Sequence, residues 1–330
     1  MTRHAHRYHS LPTARDSRGA RVFACVSIDC ECDKGPGWRS QRPLRFTGVT
    51  HGIARTLAPV FAHHRARPTY LISPEVLRDP ASVDALAAQR DAELGTHLHG
   101  EYAEPGAFEP DVTRAFQRDY PEPIERAKLG SLTTAFRAAF GRAPRAFRAG
   151  RFGVGRHTIG ILESLDYRVE SSVTPAHDWS SSGAPGLDFR GAPSQPYRPD
   201  RYRPGVPGTS RVWEVPVTIR PRLASRLPVI GPWVGRWIDG RWLRPTRTGA
   251  AQLIAIARDE VRDARRRRPG APVVLHAMFH NVEVVPGASP YAATAAEAQA
   301  IVDRLAALLG FAAREGIRVI GLSDVPELFA

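Results

Sequence analysis

Cysteine is scarce in this chain: three thiols in 330 residues, at Cys25, Cys30 and Cys32. Three clustered cysteines cannot build a disulfide framework, and they suit a reducing compartment. Long apolar runs are missing too, so no segment reads as a bilayer span. The opening stretch MTRHAHRYHSLPTARDSRGA has basic residues but no apolar centre, so no secretion signal is expected there. Residues 1–20, with His4, His6 and His9, read as a disordered basic tail. These absences together predict a cytoplasmic protein. Nucleic-acid-binding signatures are likewise lacking, although the formal charge is +13. The arginines are spread along the chain, and the densest run, Arg265 to Arg268, ends a helical stretch, where cations suit the helix dipole. The charge therefore predicts no nucleic-acid partner and a general attraction to anionic glycans, phosphates or lipid headgroups.

What is present is an alternation of strand and helix. Strand-like runs fall at 22–28, 69–72, 92–96, 145–148, 167–171, 212–217, 272–280 and 317–321. Helical patterns fall at 49–64, 80–90, 122–140, 155–165, 248–267 and 294–315. Repeated β-α units imply parallel strands with helices outside, and a barrel would gather the strand ends at one mouth. The repetition breaks in a stretch crowded with Pro, Gly and Ser, so 173–247 reads as a long insertion within one domain spanning 21–330.

Polar clusters stand at the ends of four strands. The first runs RVFACVSIDCECDKGPGW, breaking from apolar residues into Asp29, Cys30, Glu31, Cys32 and Asp33. Alternation puts Asp29, Glu31 and Asp33 on one face and the two cysteines on the other, where small buried thiols need no function. The third ends ELGTHLHGE, with His97, His99 and Glu101; the fourth ends AFRAGRFG, with Arg148 and Arg151; the seventh carries His276 and His280. Singly, each has a plain reading: a loop acid or helix cap, an interior histidine, an ion-pair partner. Carboxylates and imidazoles together are the ligand set of a hydrolytic zinc or other divalent metal site.

The ordered series SIDCE, ELGTHLHGE, FRAGRFG, SSVTP and HNVEVVPGASPY resembles the polysaccharide deacetylases of the NodB-homology type, carbohydrate esterase family 4, and within them the WalW-like branch associated with surface-polysaccharide synthesis. The resemblance runs from about residue 21 to 325 and implies a distorted (β/α) barrel of about seven strands. It implies Asp29 as general base, Arg148 as the arginine that pairs with it, and His280 as catalytic acid. For the metal it implies Glu31, His97 and His99, with Glu101, which stands where many members have the second histidine, as substitute for His99. Arg151, Glu283, Trp179 and Trp237 are assigned to the substrate, and Glu283 also stands close enough to orient His280.

The chemistry so implied is metal-assisted hydrolysis of an N-acetyl or related acyl amide on an amino sugar, in a glycan or glycan precursor. The ion would be zinc foremost, with other divalent ions open. Two alternatives stay open at this point: a hydrolase of a different amide on the same barrel, and a catalytically inactive glycan-binding scaffold. The stretch 227–246, with Trp233, Trp237 and Trp242 among arginines, reads either as peripheral membrane contact or sugar stacking, or as a lid that buries its tryptophans. The substrate partner is a carbohydrate or glycolipid, and nothing in the sequence fixes the oligomeric state.

Overall fold

The computed structural model describes residues 21–107, 116–180, 183–221 and 240–330. In chain order its strands are β1 (Val22–Cys30), β2 (Thr69–Ile72), β3 (Glu93–Leu98), β4 (Ala146–Ala149), β5 (Val169–Glu170), β6 (Trp213–Glu214), β7 (Ile219–Arg220), β8 (Arg241–Trp242), β9 (Val273–His280) and β10 (Arg318–Val319). The helices are α1 (Ala58–His63), α2 (Pro80–Ala87), α3 (Glu122–Phe140), α4 (Thr158–Ser164), α5 (Ala250–Arg267) and α6 (Ala295–Arg314). A π-helical run, Gly48–Leu57, leads straight into α1.

Strand β1 is the axis of the sheet. It pairs in parallel with β9 along Val22–Asp29, with β2 along Ser27–Cys30 and with β10 at Phe23–Ala24. The sheet then continues, always parallel, through β3, β4, β5 and β6. Beyond β6 the backbone N–H of Thr218 donates to the His276 carbonyl on β9 at 3.0 Å, so the sheet curls back towards its other edge. The result is the expected (β/α) barrel of NodB type: β1 to β6 and β9 form its seven staves, and two-residue β10 is an eighth strand. The range 173–247 is not wholly outside that sheet. It contains β6, built from the apolar run around Val212 and Val215, and an antiparallel pair, β7 with β8. Residues 1–20, and Trp233 and Trp237 within 222–239, lie outside the described residues. No helix among the described residues is long and apolar enough to cross a membrane.

A side-chain period of two divides each strand between barrel interior and helix layer. On β1, Val26, Ile28 and Cys30 face outward into the largest apolar cluster, with Ile53, Leu305 and Leu309 of the covering helices. The inward set changes character along the strand. Phe23 and Cys25 pack with Leu71, Ala146, Val169 and Val274 in an apolar plug, closed by Leu322 and Val325 of the C-terminal 3-10 turn. Ser27 and Asp29 follow on the same face. The barrel is thus apolar at the N-terminal ends of its strands and polar at the C-terminal ends, where parallel α/β sheets place their sites.

Local signals fix the helices around this frame. Helix α3 opens with Glu122 and Glu125 in its first turn and stops at Gly141, whose φ of 65° suits the left-handed cap. Helix α6 opens with a reciprocal Thr294–Glu297 capping box. The π-helical run needs glycine where it meets the turn after β9: a Cβ on Gly48 would stand 2.7 Å from Asn281 Nδ2.

On the outer face, Glu170 and Glu214 are register partners across β5 and β6, and both are fully buried. Val173 N donates to Glu214 Oε1 at 3.1 Å and Ser172 Oγ donates to Glu170 Oε1, while the second oxygen of each acid has no hydrogen-bond partner among the described residues. Burial, then the neighbouring Glu170 charge, pushes the Glu214 carboxyl well above its ordinary range. A raised acid stabilises the fold fully below its unfolded value, about 4.5, and that contribution erodes as pH rises from there, by up to about 1.4 kcal/mol per unit. Glu214→Gln should therefore gain stability relative to the parent as pH rises from 5 to 8. Urea midpoints of the two proteins check this; a pH-independent difference would exclude a raised Glu214 carboxyl.

Candidate functional site

Register alone assembles the polar end of the barrel. Asp29 on β1 lies opposite His280 on β9, and His97 on β3 lies opposite Arg148 on β4. Arg148 is entirely buried and crosses the interior. It donates to Asp29 Oδ1 at 2.6 Å, to Ser27 Oγ at 2.8 Å and to both the carbonyl and the hydroxyl of Ser171 at 2.7 and 3.0 Å. Burial alone would raise the Asp29 carboxyl; Arg148, with His97 and His280, outweighs it and holds the group below its ordinary value. With Oδ1 held, Oδ2 faces the cavity, 3.9 Å from Nε2 of both His97 and His280.

Glu31 stands one residue past the end of β1, where its backbone loses its strand partners. Asn281 replaces them: its side chain accepts from Glu31 N and donates to Glu31 O, each at 3.0 Å. The carboxylate so positioned meets two imidazoles, His97 Nε2 at 3.2 Å and His99 Nε2 at 3.1 Å, both on Oε1. Each histidine commits its other nitrogen elsewhere. His97 Nδ1–H donates to the Arg148 carbonyl at 3.1 Å, and His99 Nδ1–H donates to Glu101 Oε1 at 3.3 Å. Those bonds select the tautomer that leaves a lone pair on Nε2, the arrangement typical of metal-bound histidine. Two lone pairs and a carboxylate oxygen converge within 4.8 Å in a buried place, a set that can hold a metal ion.

The fit is supported by what the neighbours do. Burial disfavours a charge on His99, but Glu31 and Glu101 outweigh it and raise the imidazole to about 9, so without another cation a proton bridges this cluster. Glu101 does not join the convergence; it is the acceptor that orients His99, and Arg151 holds it at 2.6 Å. Arg151 itself has a left-handed backbone, φ 56°. The second Glu31 oxygen lies 2.9 Å from buried Lys34 Nζ, although not in hydrogen-bond alignment. With Oε2 so engaged, only Oε1 is offered to the histidines.

On the opposite wall, His280 donates from Nδ1 to Glu283 Oε1 at 2.8 Å, so its Nε2 points inward, 3.7 Å from Glu31 Oε1. Glu283 is fully buried and also accepts from Arg244 and Thr246. Burial raises its carboxyl, but Arg244 and His280 bring it down to about 2. Glu283 thus sits behind His280, away from the cavity. His276, four residues earlier, is held inside the barrel: Nδ1–H donates to the Val215 carbonyl and Nε2 accepts from Ser27 Oγ. Burial, reinforced by Arg148, lowers it to about 3, so it is a neutral structural histidine.

Other residues singled out in the sequence lie elsewhere. Asp33 leaves the Asp29–Glu31 face to accept from the backbone of Thr47 and Gly48, capping the π-helical run. Cys30 packs among apolar side chains, and Cys32, beside Lys34 and Ser40, is raised to about 11 mainly by burial; neither thiol is set up as a thiolate. Trp179 packs against Phe152, His177 and Trp242. Trp237 is outside the described residues. Asn281 and Thr246 carry no sequence signal of their own, since nothing local marks a loop residue that folds back on a strand end.

Neither a protein-family model nor a curated protein matches the sequence. Among solved structures, a protein from Parabacteroides distasonis provisionally assigned as a glycoside hydrolase/deacetylase matches with a TM-score of 0.65 at 13% identity, over 97% of this chain and 73% of that one. A provisionally assigned polysaccharide deacetylase from Mycobacterium smegmatis matches with a TM-score of 0.53 at 15% identity, over 96% and 93%. A GH57-type branching enzyme from Pyrococcus horikoshii matches with a TM-score of 0.52 at 11% identity, over 93% and 70%. The chain has the fold of these proteins, and at such identities the likeness is one of fold.

The buried Asp29–Arg148 pair makes the site and the barrel interdependent. Arg148→Ala should cost about 3–5 kcal/mol of stability, because it leaves a buried carboxylate unpaired. The double variant Asp29→Asn/Arg148→Met should lose clearly less than the sum of its single variants. Urea denaturation of the four proteins tests this, and additive losses would show the pair uncoupled.

Proposed function

We propose that this chain is a metal-dependent hydrolase that removes an N-acetyl or related acyl group from an amino sugar of a glycan or glycan precursor. The observation that carries the reading is the convergence of Glu31 Oε1, His97 Nε2 and His99 Nε2 beside Asp29 Oδ2 and His280 Nε2. Structures of like fold that carry deacetylase assignments support it.

Glu31, His97 and His99 would hold the ion, with Glu101 and the Arg148 carbonyl as the outer partners of the histidines. A divalent ion, zinc foremost, supplies Lewis acidity towards the acyl carbonyl and the attacking water when bound. The protein's own groups do the rest. Arg148 keeps Asp29 ionised and fixes Oδ1, so Oδ2 takes the proton of the attacking water. His280 hands a proton from Nε2 to the departing amine, while Glu283 holds its Nδ1–H and steadies the ring. Water and amide become acetate and a free amino sugar, with one proton taken and one returned.

The variants separate binding from chemistry. His97→Ala and Glu31→Ala should lose the metal, read by elemental analysis, while Cys30→Ser and Cys32→Ser keep it. Asp29→Asn and His280→Ala should retain metal and lose acetate release from N-acetyl glycans by roughly 10²- to 10⁴-fold. His276→Ala should lower stability first. A metal-replete parent that releases no acetate from any such glycan would point to another amide, and a parent that binds no metal would point to a glycan-binding scaffold.

A further inference from the structure

Beyond His280 the wall of the site continues as an aromatic surface edged by a cation that makes no ion pair among the described residues. The Trp38 indole meets His280 edge-on, with ring centroids 4.8 Å apart, and leans on Tyr291 at 5.1 Å. Arg247 lies over the Tyr291 ring, 4.8 Å from its centroid, and donates to its hydroxyl at 3.1 Å. Trp38 and Tyr291 are half-buried and Arg247 is exposed, so all three present surface to solvent beside the reacting centre.

Two features set this surface apart from ordinary packing. The first is backbone strain. Trp38 has φ 61°, a region that bulky residues rarely enter, directly after Gly37 at φ 66°. The loop is pinned in that shape by the Lys34–Ser40 bridge and by Gly35 N donating to Arg39 O at 2.8 Å. A strained loop thus holds an indole against His280 instead of burying it. The second is charge. Each carboxylate of the site already has its own cation: Asp29 with Arg148, Glu31 with Lys34, Glu101 with Arg151 and Glu283 with Arg244. Arg247 makes no ion pair among the described residues, so its guanidinium is available to an anion from outside.

From this we infer a subsite for an acidic sugar next to the one being deacylated: its ring stacks on Trp38, and its carboxylate or phosphate is bound by Arg247. The inference rests on the deacetylase reading for its position in the reaction, because Trp38 is in ring contact with His280, the proposed proton donor. The chemistry itself is independent of turnover. An aromatic face takes the apolar face of a sugar ring, and a guanidinium takes an oxyanion by charge-assisted hydrogen bonds.

Calorimetric titration of the full chain, with no turnover required, tests it. The probes are N,N′-diacetylchitobiose (neutral), a glucuronic acid–N-acetylglucosamine disaccharide (carboxylate) and N-acetylglucosamine 1-phosphate. The parent should bind one or both anionic probes about 10-fold more tightly than the neutral one, and the stronger of the two identifies the anion. The preference should shrink as salt is raised. Arg247→Gln should bring the anionic-to-neutral ratio close to one. Trp38→Ala should weaken binding of the preferred disaccharide, and Trp38→Phe should restore it, which separates stacking from loss of fold. Equal binding of all three probes by the parent, or a preference that survives Arg247→Gln, would overturn the subsite. Anion-selective binding by a chain that releases no acetate would instead overturn the deacetylase reading and leave the subsite standing.

Discussion

The structure depends on one buried guanidinium. Arg148 crosses the inside of the barrel and joins three strands or their extensions: β1 through Ser27 and Asp29, β4 through its own backbone, and the segment after β5 through Ser171. A charge without access to water is tolerable only when its donors are met. The inward Ser27, Asp29 and Ser171 are therefore a condition of Arg148 being there at all. Its backbone carbonyl meanwhile sets the tautomer of His97. The same residue closes the polar half of the interior and orients two of the groups gathered at its mouth.

Around that cation the interior is graded. Moving up β1, the inward side chains run Phe23, Cys25, Ser27, Asp29, from apolar plug to charged mouth. On β9 the matching series is Val274, His276, Met278, His280. His276 and His280 differ by four residues on one face, yet burial beside Arg148 keeps the first neutral, while the second reaches the cavity with a carboxylate behind it. Depth along the barrel separates an imidazole locked in the interior from one that reaches Asp29 and Glu31 at the mouth.

Much of the frame was legible because strands and helices follow from local patterns. The helix at 122–140 and the strand at 69–72 sit where their periodicity and caps put them. His97 and His99, two apart at a strand end, were bound to share a side. The rest was hidden because it depends on chain return. Asp33 continues the alternation of Asp29 and Glu31 on paper, but β1 ends at Cys30, and a helix N-terminus 14 residues on claims its carboxylate. Glu101 stood as the substitute for His99; in the fold it accepts from His99 Nδ1 and pairs with Arg151, contacts that its sequence position does not record. Arg244 neutralises Glu283 from a loop 39 residues away, a relation that no local spacing records.

The clasp between Glu31 and Asn281 joins residues 250 positions apart. On a ribosome, β1 emerges well ahead of β9, so its longest pairing must wait until the strands between them have been made. Until then the central stave has a bare edge, and the acidic residue at its tip has no backbone partner. The barrel's earliest strand is therefore among the last to be fully paired. The nascent chain thus carries an apolar, two-faced strand with one edge open for as long as the intervening strands take to be made.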